Sequence, residues 1–166
     1  QLEKFESDFS KYSNAKYAIA VSNCTAALHL SLMALGIKKN DEVIIPDLTF
    51  VADANAILAC NAKPVIVDIN QDDFFLSISN IKKNITKKTK AIIPVHIYGQ
   101  VCNIEEILNV AKDNNLKVIE DCAHAIGTFH KSKHVGTLGN TGCFSFYPTK
   151  NITTAEGGMV ITNSEQ

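Results

Sequence analysis

The 166-residue chain is predicted to form an α/β domain with a mostly parallel, doubly wound sheet of about seven strands. Three observations support this fold class. Short β-rich runs alternate with stretches of helical periodicity along the chain. The β-rich runs are almost continuously apolar, as expected for strands covered by helices on both faces. Apolar residues make up 46% of the chain and charged residues 20%, which is typical of a globular domain.

The elements follow one another in a regular order. Leu2, Phe5 and Phe9 recur at helical spacing and predict an opening amphipathic helix. The later predicted helices cover about residues 25–35, 51–61, 78–85 and 104–114. The predicted strands cover residues 17–21, 42–46, 64–69, 90–96, 117–121, 143–146 and 158–162. This alternation implies right-handed crossovers, and ligands of such sheets bind outside the carboxyl ends of the strands.

Composition argues against several classes of partner. The net charge is −1, and the only basic run, residues 82–90, lacks interleaved aromatic residues, so we expect no nucleic-acid binding. No apolar stretch reaches the ~20 residues of a membrane span. Five scattered cysteines without a C-x-x-C pair favour reduced thiols in the cytoplasm over disulfides or a metal site; they are Cys24, Cys60, Cys102, Cys122 and Cys143.

Chemically capable residues follow several predicted strands. Lys150 stands in "SFYPTKNITTAEGG", between an aromatic–proline turn and a glycine-containing loop. A lysine is most often a solvated surface charge. Asp121 ends the strand of "KVIEDCAHAIG", where it either caps a short helix over residues 122–126 or holds a protonated ring nitrogen. Cys122 and His124 have no second pair of ligands nearby, so we expect no metal here.

Two further segments admit both a structural and a functional interpretation. In "AVSNCTAALHL", Ser22 or Asn23 caps the following helix, or unpaired N–H groups of Thr25 and Ala26 hold a phosphate. Phe50 directly follows the strand "EVIIP" and serves either as a core residue or as a stacking platform for a ring.

Together these residue types match the requirements of pyridoxal 5′-phosphate. This cofactor binds a lysine covalently, needs a carboxylate on its pyridinium nitrogen and is anchored through its phosphate. Lys150 then suits proton shuttling, and a neutral His124 suits donation to the ring hydroxyl. Gly157 and Gly158 are expected to let the backbone pass close to the cofactor.

Four segments, "SFYPTKNITTAEGGMV", "EDCAHAIGT", "PVHIYGQ" and "SNCTAALHL", resemble the DegT-type nucleotide-sugar aminotransferases, a branch of the fold type I pyridoxal phosphate enzymes. The resemblance covers essentially the whole chain. It implies that Lys150 is the Schiff-base lysine and Asp121 its pyridinium partner. It also implies cofactor contacts from Thr25, Ala26, Phe50, His124 and Ser145.

The resemblance implies a function and an assembly. Family members move an amino group, typically from glutamate, to a keto carbon of a nucleotide-linked deoxysugar for polysaccharide or lipopolysaccharide synthesis. They are homodimers with active sites at the interface and carry a second, C-terminal domain. We therefore expect residues 1–166 to be the cofactor-binding large domain of a longer protein without its small domain. Isolated, this segment is expected to have an incomplete site.

Alternatives remain open within and outside this chemistry. Some relatives lack the lysine and dehydrate sugars, so the presence of Lys150 favours transamination, although it does not exclude another reaction of fold type I enzymes. A non-catalytic regulatory relative could also keep the scaffold. Two positions depart from the family pattern: Cys24 stands where a small residue is usual, and Asp53 where Thr or Ser is common. Asp53 leaves the choice of sugar open.

Overall fold

The computed structural model describes residues 1–165, which form five α-helices and nine strands. The helices are α1 (Leu2–Ser13), α2 (Cys24–Ala34), α3 (Ala52–Ala59), α4 (Ile78–Asn84) and α5 (Ile104–Asp113). The strands are β1 (Tyr17–Val21), β2 (Glu42–Pro46), β3 (Lys63–Val67), β4 (Thr89–Ile92), β5 (Lys117–Asp121), β6 (Phe129–His130), β7 (Lys133–His134), β8 (Thr141–Ser145) and β9 (Gly158–Thr162).

Seven strands form one sheet in the order β1-β9-β8-β5-β4-β2-β3. The pairs β2–β3, β2–β4, β4–β5 and β5–β8 are parallel, and only β9 runs antiparallel to its neighbours β1 and β8. The predicted mostly parallel sheet of seven strands is therefore confirmed. The hairpin of β6 and β7 forms a separate two-stranded sheet that the sequence did not predict.

Helices cover both faces of the sheet because the strand side chains alternate in direction. Val43 and Ile45 of β2 pack with α2 and α3 on one face, whereas Ile44 between them packs with α4 and α5 on the other. On β5, Ile119 belongs to the first face and Val118 to the second. Such nearly continuous apolar strands are the reason that the sequence shows no period of two.

The opening helix α1 covers the β1 end of the sheet, as its apolar spacing predicts. Its Phe5 and Phe9 make edge-to-face contacts with Phe146 at centroid distances of 5.3 and 5.8 Å. Within residues 1–165, none of the helices combines the length and apolarity needed to cross a membrane.

The observed boundaries differ from the expected ones by a few residues. Helix α3 ends at Ala59, earlier than expected, because Asn61 adopts a left-handed φ of 56° in the following turn. Strand β4 ends at Ile92 although the chain stays extended, since Pro94 has no N–H to donate to a strand ladder. Pairing resumes beyond it as an isolated bridge between Val95 and Asp121.

Candidate active site at the carboxyl end of the sheet

Asp121 is the last residue of β5 and lies at the carboxyl end of the parallel strands. Its side chain belongs to the face covered by α2 and α3, since it shares the alternation of Ile119. It is 5% exposed, and its Oδ1 accepts a hydrogen bond of 2.8 Å from the Ala123 N–H. Turns rather than a helix occupy residues 122–127, so the alternative of a helix cap is wrong.

Lys150 lies at the same end of the sheet, in the loop that joins β8 to β9. Its backbone N–H donates to the Tyr147 carbonyl at 2.9 Å, and the residue is half-buried. Within residues 1–165, its ammonium group makes no hydrogen bond or ion pair. Burial raises the pKa of Asp121, and the nearby Lys150 charge opposes this rise. The lysine and the carboxylate therefore act on each other across one site.

His124 follows Asp121 by three residues and is held in one tautomer. Its Nδ1 accepts a hydrogen bond of 3.3 Å from the Tyr98 N–H, which leaves the proton of the neutral ring on Nε2. The Tyr98 and His124 rings stack at a centroid distance of 5.7 Å with an angle of 13°. Burial and the Lys150 charge lower the pKa of His124, so the neutral form predominates at pH 7.

The start of α2 corrects one expectation. The Ala26 N–H donates to the Asn23 side chain at 2.8 Å, so Asn23 caps the helix and Ala26 does not offer an unpaired N–H. Within residues 1–165, neither the backbone N–H nor the hydroxyl of Thr25 has a hydrogen-bond partner. Thr25 therefore keeps its donors available at the positive end of the helix.

Gly158 lets β9 pass close to the start of α2. A Cβ at this position would lie 2.4 Å from the Asn23 carbonyl carbon and 2.8 Å from the Cys24 backbone nitrogen. That Gly157 and Gly158 also bring the backbone close to a cofactor stays a prediction. At Gly157, a Cβ would lie 2.4 Å from the Thr154 hydroxyl.

Phe50 and Ser145 complete the set of residues that the sequence places at strand ends. Phe50 follows β2 and is 74% exposed, so the interpretation as a core residue is wrong. Ser145 ends β8, is buried, and accepts a weak hydrogen bond of 3.4 Å from the Tyr147 N–H. Both lie at the same end of the sheet as Asp121, because the three strands β2, β5 and β8 share one direction.

The most informative contact of Asp121 was missed by the sequence analysis, which noted Asp53 only as a departure from the family pattern. Asp53 lies on α3 and is 0% exposed. Its Oδ2 accepts a hydrogen bond from the Thr49 hydroxyl at 2.5 Å, whereas its Oδ1 is fully buried and has no hydrogen-bond partner within residues 1–165. Burial and the nearby Asp121 charge raise the pKa of Asp53 well above its ordinary value. Two buried carboxyl groups therefore lie close enough to act on each other.

A second buried carboxylate, Glu120, was also missed and lies on the opposite face of β5. His96 Nε2 and the Gly136 N–H donate to its Oε2, each at 2.9 Å. The N–H groups of Leu138 and Gly139 donate to its Oε1 at 2.8 and 2.6 Å. The signal that could have found this pair is a glutamate and a histidine at neighbouring strand ends within otherwise apolar runs.

The atoms around Glu120 resemble a metal site in composition but not in hydrogen bonding. His96, Glu120 and Cys122 place ligand-type atoms within 4.8 Å of one another. However, His96 Nδ1 accepts from the Cys102 N–H at 3.2 Å, and both Glu120 oxygens accept two hydrogen bonds each. Their lone pairs are already used, so this cluster holds the chain together rather than a metal.

The chain is similar to known proteins over almost its whole length. The chain is 51% identical over 164 residues to GDP-perosamine synthase of Escherichia coli O157:H7, covering 99% of this chain and 45% of the relative. The structure of an aminotransferase from Psychrobacter cryohalolentis matches with a TM-score of 0.96 at 41% identity, covering 99% of this chain and 42% of the other. NtdA of Bacillus subtilis with bound cofactor PMP matches with a TM-score of 0.92 at 38% identity, covering 99% of this chain and 37% of NtdA.

The chain thus spans less than half the length of these relatives. The neighbours are aminotransferases of fold type I, which confirms the fold class expected from the sequence. The model of the DegT/DnrJ/EryC1/StrS aminotransferase family matches residues 1–166. The chain belongs to the DegT/DnrJ/EryC1/StrS aminotransferase family.

Proposed function

We propose that residues 1–166 form the cofactor-binding large domain of a sugar aminotransferase that uses pyridoxal 5′-phosphate. The observation that carries the proposal is the presence of Lys150 and Asp121 at the same carboxyl end of one mostly parallel sheet. Lys150 is a half-buried amine without an ion-pair partner within residues 1–165, and its charge acts on the buried Asp121. An amine and a carboxylate in this relation match the two ends of a pyridoxal ring.

Asp121 and Lys150 have different proposed roles toward the cofactor. When bound, pyridoxal phosphate supplies the electron sink for breaking a Cα–H bond. Asp121 would hold the proton on the ring nitrogen, which requires an anionic carboxylate facing the site. Lys150 would bind the cofactor covalently, and its free amine would move the proton.

The remaining side chains anchor and orient the ring. The Thr25 N–H and hydroxyl, together with the Ser145 hydroxyl, would hold the phosphate at the positive end of α2. Ala26 would contribute through the helix terminus rather than through its own N–H, which Asn23 already binds. His124 would donate its Nε2 proton to the ring hydroxyl, and the exposed Phe50 would stack on the ring.

The relatives suggest the substrate and the assembly. GDP-perosamine synthases of Escherichia coli O157:H7 and Vibrio cholerae are 51% and 46% identical to the chain, and a spore coat polysaccharide biosynthesis protein of Bacillus subtilis is 43% identical. We therefore propose a nucleotide-linked keto-deoxysugar as the amino acceptor and glutamate as the donor. The exposed rings of Phe50 and Tyr98 beside the site favour a homodimer with sites at the subunit interface. The free cysteines favour the cytoplasm.

The half-reaction of the intact protein tests this proposal. Glutamate is expected to replace the visible band of the lysine-bound cofactor with that of its amine form, and a nucleotide-linked keto-sugar should restore the band. Lys150→Ala should lack the visible band from the start. A spectrum that glutamate leaves unchanged, while another amino acid alters it, would contradict the transfer from glutamate.

A regulatory protein without activity is the second candidate, because the chain is also 45% identical over 166 residues to a pleiotropic regulatory protein of Geobacillus stearothermophilus. Such a protein would either bind pyridoxal phosphate without catalysis or bind neither the cofactor nor a sugar. In both cases it would show no half-reaction with any amino donor. The same spectra therefore separate the two candidates.

A further inference from the structure

The Asp53 Oδ1 is fully buried and has no donor in the part of the chain that the structure describes, which is costly for an ionised carboxylate. Asp121, at the end of β5, is also almost fully buried, and its charge acts on Asp53. Two such neighbouring carboxyl groups cannot both be ionised without a large electrostatic cost. A proton on Asp53 Oδ1 removes the conflict, because this oxygen can then donate an O–H···O hydrogen bond.

The surroundings decide which of the two groups carries the proton. Asp121 accepts the Ala123 N–H at 2.8 Å and lies near the positive charge of Lys150, and both stabilise its anion. Among residues 1–165, Asp53 has a single donor, the Thr49 hydroxyl, which binds the other oxygen, Oδ2. The anion therefore belongs on Asp121 and the proton on Asp53.

We propose that Asp53 is a neutral carboxylic acid at pH 7 and donates a hydrogen bond from Oδ1 to the ionised Asp121. Asp53 is then a positioning residue, which fixes the rotamer of Asp121 without adding a second negative charge. That Asp121 in turn meets a pyridinium nitrogen rests on the proposed function, whereas the proton on Asp53 does not.

The other titratable groups around the pair are consistent with this assignment. Burial raises the pKa of the thiols of Cys24 on α2 and Cys143 on β8, and the charge of Asp121 raises both further, so these thiols stay neutral. The charged or chargeable groups that act on Asp121 are His96, His124 and Lys150. Within residues 1–165, none of these forms an ion pair with Asp53.

Infrared spectroscopy of the intact protein at pH 7 tests where the proton lies. We expect a carbonyl band of a buried, protonated carboxylic acid that is present in the native protein and in Asp121→Asn but absent from Asp53→Asn. A band lost in Asp121→Asn and kept in Asp53→Asn would place the proton on the wrong residue and overturn the proposal. Absence of the band from the native protein would overturn it as well.

The pH dependence of unfolding provides a second readout that does not need cofactor. A carboxyl group with a raised pKa binds more protons when folded, so its contribution to stability is present below the unfolded pKa, about 4, and is lost as the pH rises toward the folded pKa. In that range, the unfolding constant of the native protein should rise about tenfold per pH unit relative to Asp53→Asn. A constant ratio across this range would contradict a protonated Asp53.

The positioning role is tested by cofactor affinity. Asp53→Asn keeps a donor toward Asp121 and an acceptor for Thr49, so its dissociation constant for pyridoxal phosphate should stay within about threefold of the native value. Asp53→Ala removes the donor and should weaken binding about tenfold. Equal affinities of the two variants would refute positioning by Asp53. A native protein that binds no pyridoxal phosphate would refute the proposed function instead. The infrared band would still show whether Asp53 carries the proton.

Discussion

Glu120 and Asp121 are neighbours on β5, yet their carboxyl groups have very different hydrogen-bonding environments. Glu120 faces one side of the sheet and accepts four hydrogen bonds, from His96 and from the N–H groups of Gly136, Leu138 and Gly139. Asp121 faces the other side and accepts one backbone N–H, from Ala123. Both are almost inaccessible to solvent.

The number of hydrogen-bond donors around a buried carboxylate distinguishes a structural role from a ligand-binding role. A buried carboxylate whose oxygens are all used by the backbone fixes the chain, here the loop from Gly136 to Gly139. A buried carboxylate with few donors and a nearby amine keeps its capacity for a positively charged group from outside. Solvent exposure alone does not distinguish the roles of Glu120 and Asp121.

The largest expected effect is on stability, at Glu120. Glu120→Gln keeps the shape but places an amide NH₂ against backbone donors, so at least two of the four hydrogen bonds are lost. We expect the free energy of unfolding to fall by about 3 kcal/mol or more, as measured by urea denaturation. An unchanged midpoint of denaturation would show that this network does not hold the fold.

Asp121→Asn tests whether the second carboxylate serves ligand binding rather than stability. The amide oxygen still accepts the Ala123 N–H, so stability should be retained, whereas the charge that faces the ring nitrogen is removed. We expect the dissociation constant for pyridoxal phosphate to rise about 100-fold, as measured by fluorescence or absorbance titration. If the variant instead lost stability and kept its affinity, the roles assigned to the two carboxylates would be reversed.

Two glycines offer a smaller test of the same contrast. A Cβ at Gly142 would lie 2.3 Å from the Gly136 Cα, beside the Glu120 network, and one at Gly158 would press on Asn23 at the start of α2. Alanine at either position should cost about 1–3 kcal/mol of stability. Only Gly158→Ala should also weaken the binding of pyridoxal phosphate. Equal affinity losses in the two variants would mean that the α2 terminus is not a separate phosphate site.

Much of the fold could be predicted because apolar runs and helical periodicity reflect local geometry. The seven sheet strands and five helices were expected within a few residues of where they lie. The direction of β9 could not be predicted, since an apolar run is the same in parallel and antiparallel strands. The hairpin of β6 and β7 has strands of two residues, which are too short to show a period.

The candidate site was predicted where a chemically capable residue stands at the end of a strand or in the loop that follows it. Asp121 and Lys150 were found in this way, and their roles remain predictions. The contact of Asp53 with Asp121 joins residues far apart in sequence, through the packing of α3 on the sheet, and no local pattern encodes it. The capping of α2 by Asn23 was one of two open alternatives, and only the geometry decided that Ala26 N–H is taken.

Chemical trapping tests most directly whether one amine and one carboxylate hold opposite ends of the same ring. The intact protein loaded with pyridoxal phosphate is reduced with borohydride, digested, and mapped by mass spectrometry. We expect a pyridoxyl group on Lys150, formed efficiently in the native protein and poorly in Asp121→Asn at limiting cofactor. A label on a different lysine, or equal labelling in both proteins, would contradict it.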